Sequence, residues 1–483
     1  MIFAAILGLP VVLAVWIAIL SRWQRALWML ILYVPFASGI ALMLRPNPFG
    51  ALFKDFLFVL PVYAVFLLFH MRELRNARIP NPISLMFVLF AAVVLLQTFN
   101  PSMRDLVAGA VGIKVWLLYI PLAYLVSAMM IRAEDLVGFL RAATAVAVIP
   151  CTIGILQFAM SAAVGYEETM TMFYGRNAAA ATQNFTTFQM GADFFRIPST
   201  FSFVTQYSGY TLMMLAVTYM HQSVEPHPGW RLFAKIMTGV VFVAAILAGA
   251  RANFLFAPML LLVILFLDAK LKRLALWLIV GPFIMITTLN IVGLNVLTIA
   301  DRTGGLVTNY GSNLIIPDLI KSLVNSPLGQ GVGTNTGASR NLMSASEIAA
   351  LPPMVEGYYA KAIIELGIPG LIILLGILIS LSLYGLNIHS RARDPMARSC
   401  SAAITGFVIV MAIHSFKGWQ IDLDPINVWY WILVGILFRL PEMRFDRLAE
   451  ARRQSELEKR NPRAPQRNRP GPRRAPGAIR NRR

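Results

Sequence analysis

Charged side chains are rare in the apolar segments of this chain, and those that occur there are the candidates for chemistry. Arg251, in the motif "GARANF", is the only charged residue among the 32 from Ile236 to Leu267. One helix over this range would be about 48 Å long and would hold the guanidinium in mid-membrane, at a cost of several kcal/mol. The sequence therefore predicts a hairpin that turns at residues 249–253. Arg251 at the membrane boundary could simply snorkel or set the topology, or it could bind an anion through bidentate hydrogen bonds.

Other cations are predicted at a similar depth. Lys114, in "GIKVWLLYIPLAYL", lies about two turns inside the end of its apolar run, and Arg196 precedes a helix that starts near Val204. Arg302 lies in a long loop, where a charge is most simply explained by solvation. The simplest ligand for fixed cations at one membrane boundary is an anionic lipid headgroup, and a diphosphate would use bidentate guanidinium contacts.

A glycine-rich segment, "NSPLGQGVGTNTG", contains Gly329, Gly331 and Gly333. It is not a dinucleotide-binding fingerprint, because no strand precedes it and no βαβ unit follows. We expect a tight turn whose backbone N–H groups approach an anion or a sugar. The alternative is a flexible loop.

Two residues are candidate bases. Glu356 is predicted to open a long membrane helix, where a carboxylate either stabilises the helix N-terminus or takes a proton from a bound hydroxyl. His414, in "MAIHSFKGW", is either a second base or hydrogen-bonding group, or a structural residue at a helix end. No G-x-S-x-G or S-x-x-K arrangement is present, which argues against a serine protease.

The elements that must position these residues are apolar helices. Hydrophobic residues make up 58% of the chain, charged residues 13%, and the mean hydropathy is +0.67. These values are typical of polytopic α-helical membrane proteins, whose helices need about 20 apolar residues each. The two cysteines lie in apolar stretches and cannot form a disulfide framework or a zinc site. The first 20 residues lack a basic region and a cleavage site, so they predict a membrane helix rather than a signal peptide.

The sequence predicts an all-α transmembrane bundle of about 12–13 helices in one domain, residues 1–440. The predicted spans are 2–20, 26–44, 55–70, 83–99, 106–131, 138–161, 204–220, 233–249, 252–268, 274–297, 357–385, 399–415 and 426–440. Basic residues in the short loops place one side in the cytoplasm. Two long loops, 162–203 and 298–356, then lie on the opposite, periplasmic side, and loops of this length are usually functional. No internal repeat is apparent, which argues against a secondary transporter.

The formal net charge is +19, from 42 basic and 23 acidic residues. Residues 441–483 hold 14 Lys/Arg and five Asp/Glu and are predicted to form a basic, largely disordered cytoplasmic tail. We expect the tail to contact anionic membrane lipids and not nucleic acid.

Taken in order, these motifs resemble the O-antigen ligase and O-antigen polymerase superfamily of bacterial inner-membrane glycosyltransferases, over roughly residues 105–440. The resemblance rests on Arg196 with the small-Thr-Phe element that contains Thr200, on the turn at Arg251, and on "P-x-x-G-x-G-x-G" at 327–333. It is completed by Glu356 and by "E-x-G-x-x-G" at 365–370.

The resemblance implies a GT-C-like fold and a donor glycan carried on undecaprenyl diphosphate. Arg196 and Arg251 would stabilise the leaving diphosphate, and Glu356 would act on the acceptor hydroxyl. Lys114, Thr200, Arg302, the three glycines, Tyr358 and His414 would bind substrate. It implies no metal and no cofactor, and it suggests polysaccharide-assembly partners such as a chain-length regulator and a flippase.

Departures from the family pattern bear on whether the chain is a polymerase or a ligase. Ligases of this family typically have His at the position of Glu356, which favours a polymerase of O-antigen or exopolysaccharide repeat units over a lipopolysaccharide ligase. Ala250 replaces the Ser that usually precedes the motif Arg. A different class, a transporter or flippase for lipid-linked glycan, would also use cations near the lipid phosphate.

Overall fold

A computed structural model describes residues 2–44, 50, 52–102, 106–176, 187–189, 193–291, 314–340, 343, 345–349 and 351–460. Within these residues the chain is helical, apart from one small antiparallel sheet in which Thr187 pairs with Phe195 and Gln189 with Asp193. Arg302 lies outside the described residues, so its predicted role stays a prediction.

The helices follow the predicted apolar runs. In chain order the helices and the two strands of the described residues are α1 (Ile2–Ser21), α2 (Gln24–Met43), α3 (Leu60–Phe69, preceded by a π-helical turn at Asp55–Val59), α4 (Asn81–Thr98), α5 (Leu106–Leu117), α6 (Pro121–Met129), α7 (Ala133–Val164), α8 (Tyr166–Tyr174), β1 (Thr187–Gln189), β2 (Asp193–Phe195), α9 (Val204–Val224), α10 (Pro228–Leu247), α11 (Arg251–Leu267), α12 (Leu271–Ile291), α13 (Ile316–Asn325), α14 (Gly337–Arg340), α15 (Ala345–Ala349), α16 (Tyr358–Arg391), α17 (Pro395–His414), α18 (Ile426–Arg439) and α19 (Asp446–Arg460).

Seven helical stretches within the described residues are long and apolar enough to cross a membrane. They are Gln24–Met43, Asn81–Thr98, Val107–Met129, Ala133–Val164, Pro228–Leu247, Tyr358–Arg391 and Pro395–His414. The chain is therefore a multi-pass membrane protein, as the composition predicts.

Helix α9 lies at the centre of the bundle. Nearly all of its side chains are buried, including polar ones such as Thr211 and His221, and it packs against α7, α10, α11 and α17. Most of its buried polar side chains form hydrogen bonds within the bundle, because an unpaired polar group in an apolar environment is costly. The Oγ of Ser208, for example, donates to Asn253 at 2.6 Å. Among the described residues the hydroxyl of Tyr207 has no such partner.

The connections between helices gather at two ends. One end, the long-loop end, holds the described parts of the long loops, among them 165–176, 193–203, 314–340 and 351–357, with the connections at 248–250 and 415–425. Backbone hydrogen bonds join Ile197 to Ala248 and Tyr358 to Ser415. The other, the tail end, holds the connections at 70–80, 225–227 and 268–270 together with α19. There Arg439 donates to the carbonyl of Asn76 at 2.9 Å, and Lys270 donates to Ser399 at 3.1 Å.

The first part of the predicted basic tail contains the helix α19. Arg231 of α10 forms an ion pair with Glu456 at 3.2 Å, and Arg452 donates to the carbonyl of Ser223 at 3.1 Å. Arg452 and Glu456 also approach to 3.6 Å one turn apart, a spacing that supports a polar helix. These contacts fix α19 against the bundle. Residues 461–483 lie outside the described residues, so their disorder stays a prediction.

Candidate active site

Two motifs that are distant in the sequence meet at the long-loop end. The amide of Ile197 donates to the carbonyl of Ala248 at 3.1 Å. Gly249 has a φ of 69°, and a Cβ there would lie 2.3 Å from the carbonyl oxygen of Phe195 and 3.1 Å from the Cα of Arg196. Only glycine permits both this φ and this approach. The predicted hairpin is confirmed, with its turn at 248–250 and Arg251 as the first residue of α11.

The pKa of Lys417 depends on the charged groups around these motifs. Burial lowers the pKa of its ammonium group, the carboxylate of Glu356 raises it, and the positive charges of Arg251 and Arg196 lower it. The four groups are therefore close enough to interact, and they form what we call the cationic cluster: Arg196, Arg251, Glu356 and Lys417. The three cations are half-buried and Glu356 is exposed.

Glu356 reaches this cluster through the start of α16. The amide of Tyr358 donates to the carbonyl of Ser415 at 2.9 Å. Gly357 packs so closely that an added Cβ would lie 2.8 Å from the carbonyl oxygen of Phe416. The helix begins at Tyr358, with Gly357 as its N-cap, so Glu356 precedes the helix instead of opening it. Its carboxylate consequently lies beside Lys417, the residue that follows Phe416.

Lys417 was not among the residues predicted from the sequence to form the site. A signal was available, because this lysine follows directly after an apolar span on the side opposite to the basic loops, as Arg251 does. Positive charge in that position runs against the usual orientation rule and therefore favours a functional interpretation.

His414, at the C-terminus of α17, is only 2% exposed. Its ring lies 4.4 Å from that of Phe256, centroid to centroid. Among the described residues neither ring nitrogen has a hydrogen-bond partner. Because buried polar atoms are nearly always bonded, this imidazole has unused capacity next to the cationic cluster.

The loop that carries Arg196 is fixed to two helices by the residues of its motif. The hydroxyl of Thr200 donates to the carbonyl of Pro35 at 2.7 Å. Ser199, with a φ of 56°, donates from its amide to Gln157 at 2.9 Å and from its hydroxyl to the carbonyl of Pro150 at 2.5 Å. These bonds hold Arg196 in place from the α2 and α7 sides. Thr200 was predicted to bind substrate, and the structure gives its hydroxyl a backbone partner.

The glycine loop surrounds an anion supplied by the chain itself. The fully buried carboxylate of Glu365 accepts hydrogen bonds from the amides of Gly333 (3.0 Å) and Asn335 (2.9 Å). It also accepts from the hydroxyl of Thr336 (2.9 Å) and the indole of Trp116 (2.7 Å). Four donors to one carboxylate make a strongly bonded buried charge. From the sequence Glu365 was recognised only as part of a motif, and its role as the hydrogen-bond acceptor inside the glycine loop was not predicted.

The same loop packs backbone against backbone on its neighbours. Gly329 and Gly333 both have positive φ angles, of 82° and 94°. A Cβ on Gly329 would lie 2.8 Å from the amide nitrogen of Gly367, and one on Gly333 would lie 2.4 Å from the carbonyl of Ala108. Gly329 and Gly333 thus permit close approach to α16 and α5, and Gly331 has a positive φ of 102°. Their predicted role in binding substrate stays a prediction.

Lys114 belongs to a separate buried network. Its ammonium group lies 2.7 Å from Asp55, which also accepts from Tyr119 at 2.8 Å. Lys54, only 1% exposed, bonds to Asp55 and to Asp424, each at 3.1 Å. Two lysines and two aspartates neutralise one another here, which offsets the cost of burying each charge. The ion pair of Lys114 with Asp55 therefore places this lysine in the buried network, apart from the four residues of the cationic cluster.

A second buried ion pair stands between that network and the glycine loop. Lys361 forms a salt bridge with Asp422, and its ammonium group lies 5.1 Å and 5.2 Å from the rings of Trp116 and Trp419. The ring of Tyr358 stacks on Trp116 at 5.2 Å. Tyr358 was predicted to contact substrate, and its ring is instead buried in this aromatic layer.

No model of a known protein family matches the chain, and no curated protein matches it significantly.

Proposed function

We propose that the chain is a glycosyltransferase of the bacterial inner membrane, with a GT-C-like fold, that uses a glycan linked to undecaprenyl diphosphate. The proposal rests on the cationic cluster. Three cations and one carboxylate converge at the end of the bundle that carries the long loops, which we take to be the periplasmic face. Such a cluster combines groups that bind a diphosphate with a group that accepts a proton.

The donor would bind with its diphosphate against Arg196, Arg251 and Lys417. Two guanidinium groups and one ammonium group against one carboxylate leave a net charge of +2, which suits a dianionic diphosphate ester. The polyprenyl chain would lie along the apolar surface of the helices, where side chains such as Leu255 of α11 are exposed. Bidentate guanidinium contacts would fix the phosphorus atoms relative to the sugar.

The reaction would be a direct displacement at the anomeric carbon. An acceptor hydroxyl oxygen forms the new bond to this carbon while the bond from the carbon to the diphosphate oxygen breaks, with inversion. The hydroxyl proton passes to the carboxylate of Glu356 and then to water, and undecaprenyl diphosphate leaves with the electron pair. The fixed cations stabilise the charge that grows on the leaving oxygen, which is the larger part of such catalysis.

His414 and Thr200 would help to position the acceptor and the donor, with the glycine loop as a rigid wall held by Glu365. Lys114 would then contribute through its bond to Asp55, as part of the support. We favour a polymerase of O-antigen or exopolysaccharide repeat units over a lipopolysaccharide ligase, because a glutamate stands at the position where such ligases typically have histidine. A chain-length regulator and a flippase are the partners that this activity implies.

A transporter or flippase for the same lipid-linked glycan is the second candidate. One observation favours it: buried charges also lie at the tail end, where Arg141 forms a bidentate pair with Glu225 at 2.6–2.7 Å. Arg141 and Glu225 neutralise each other, whereas the cationic cluster combines three cations with Glu356, a group that can accept a proton. A transporter needs no such group, so this combination favours the enzyme.

Purified full-length protein in liposomes with lipid-linked repeat units would separate the two. The enzyme is expected to produce longer glycans and to release undecaprenyl diphosphate in equal amounts, both lost on substitution of Arg251. Movement of the glycan across the bilayer without new glycosidic bonds would instead establish the transporter and overturn the proposal.

A further inference from the structure

A cavity of about 350 Å³ lies at the tail end, on the opposite side of the bundle from the cationic cluster. The residues around it come from α9, α10, α17, α19 and the connection after α11. They are Gln222, Ser223, Lys235, Asp268, Lys270, Pro395, Met396, Arg398, Ser399 and Arg452. Four of them are cations and one is a carboxylate. The lining thus has a net charge of +3.

The single carboxylate is already engaged inside the protein. Asp268 accepts from the hydroxyl of Tyr219 at 2.5 Å and from that of Ser399 at 2.9 Å, and it forms an ion pair with Lys270. Lys270 also lies 5.3 Å from the ring of Tyr219, which fixes its position on the wall of the cavity. Lys270 therefore balances Asp268, Arg452 lies 3.6 Å from Glu456, and the other cations of the lining are Lys235 and Arg398.

Those cations border the cavity from different elements. Lys235 projects from α10 and Arg398 from the first turn of α17, and both are exposed. Arg452 of α19 is tied to the bundle by its bond to the carbonyl of Ser223. Cations that approach one space from three helices are suited to an anion with several oxygen acceptors, such as a phosphate.

Exposed apolar side chains lie on the helices that carry or precede lining residues of the cavity. Leu232 and Ile236, on the same face of α10 as Lys235, are 59% and 56% exposed. Phe266, near the end of α11 and two residues before Asp268, is 69% exposed. A free phosphate would need only the cations, whereas an amphiphile would use the cations and this apolar surface together.

We propose that this cavity binds the phosphate-bearing headgroup of an anionic phospholipid, whose acyl chains lie along Leu232, Ile236 and Phe266. Basic pockets between membrane helices are suited to such headgroups. The site is separate from the cationic cluster, and its existence does not depend on the glycosyltransferase proposal.

The test uses the full-length protein in neutral detergent, titrated with phosphatidylglycerol, with phosphatidylcholine or with inorganic phosphate. Native mass spectrometry measures the occupancy of retained lipid, and thermal unfolding measures the stabilisation, because a ligand that binds the folded state raises its stability. We expect saturable retention of phosphatidylglycerol and a rise in melting temperature. Phosphatidylcholine and millimolar inorganic phosphate should give neither.

Two double variants identify the site. Lys235→Gln with Arg398→Gln removes exposed cations of the cavity and should weaken the affinity for phosphatidylglycerol roughly tenfold or more, since each cation near an anionic headgroup contributes measurably. Arg72→Gln with Arg75→Gln removes the same charge from exposed positions of another connection at the tail end and should leave the affinity unchanged. Equal affinities in both variants would overturn the site. Equal stabilisation by inorganic phosphate would overturn the assignment to a lipid.

Discussion

The amide of Ile197 donates a hydrogen bond to the carbonyl oxygen of Ala248, with 3.1 Å between nitrogen and oxygen. Arg196 is the residue before one of these partners, and Arg251 lies just after the other. A single backbone contact therefore fixes the origins of two cationic side chains that are distant in the sequence. Their convergence depends on the backbone and does not require that the side chains attract each other.

This contact predicts that Gly249→Ala will impair activity. The substitution adds a Cβ only 2.3 Å from the carbonyl of Phe195, at a φ that alanine rarely adopts. The two segments must separate, and a shift of about 1 Å in a positioning group can cost roughly 100-fold in rate. Gly239→Ala is the matched control, because no atom lies within 4 Å of its added Cβ. Equal glycan synthesis by both variants would show that the contact is dispensable.

Arg251→Ala should abolish glycan synthesis while the protein still inserts in the membrane. Loss of one group that stabilises transition-state charge typically costs about 10²–10³ in rate. Arg251→Lys should recover part of the rate, because an ammonium group keeps the charge and loses the bidentate contact. Arg75→Ala, at an exposed position of the tail end, is the control. Near-normal turnover of Arg251→Ala would refute the diphosphate assignment.

Glu356→Gln should lower the turnover number much more than the affinity for donor. The amide keeps the size of the side chain and cannot accept the proton of the acceptor hydroxyl. Because the side chain is exposed and does not cap α16, the melting temperature should not change. Single-turnover kinetics with lipid-linked donor would measure both quantities. An unchanged rate would exclude Glu356 as the base.

Glu365→Gln should behave in the opposite way and lower the stability first. The carboxylate accepts four hydrogen bonds while fully buried, and an amide would turn one acceptor into a donor that faces other donors. Leaving a buried group unsatisfied costs about 1–3 kcal/mol. Thermal unfolding should show the loss, with Glu356→Gln as the control. A wild-type melting temperature would mean that the loop is held by other contacts.

Activity should decline at alkaline pH because of Lys417. Burial and the nearby arginines lower the pKa of this residue below 10.5, so its ammonium group loses its proton, and its charge, at a lower pH than an ordinary lysine. Affinity for the anionic donor should therefore fall as pH rises through this range, and kcat/KM should fall with it. Lys417→Arg keeps its proton and should shift that alkaline decline to higher pH. An unchanged profile would assign the decline to another group.

The helices could be predicted from sequence because each run of apolar residues has the length of a membrane span, and Arg251 marked a turn because its burial in mid-membrane is costly. Successive loops lie on alternate sides of the membrane, and this alternation predicted the end of the bundle at which Arg196 lies. The lengths of the apolar runs thus predicted the helices, and the periplasmic location of the cations stays a prediction.

The partners of the buried charges could not be predicted. Lys54 bonds to Asp424, and Trp116 to Glu365, across most of the chain, and no spacing in one sequence indicates which remote residue a charge will meet. For the same reason the glycine loop was expected to approach a ligand anion, and its amides were found on Glu365. Helix α19 was not predicted, because its composition is polar and it contacts the bundle through only a few ion pairs and hydrogen bonds.

The 34-residue helix α16 is bent at Gly367, where φ is 73° and ψ is −178°. The short part before this glycine carries Lys361 and Glu365, and both are bonded to the loops. The amide of Ile368, the first residue of the longer part, donates to the carbonyl of Pro327 at 2.9 Å, so the bend itself is held by the glycine loop. The angle between the two parts of α16 is therefore set by the same loop that encloses Glu365.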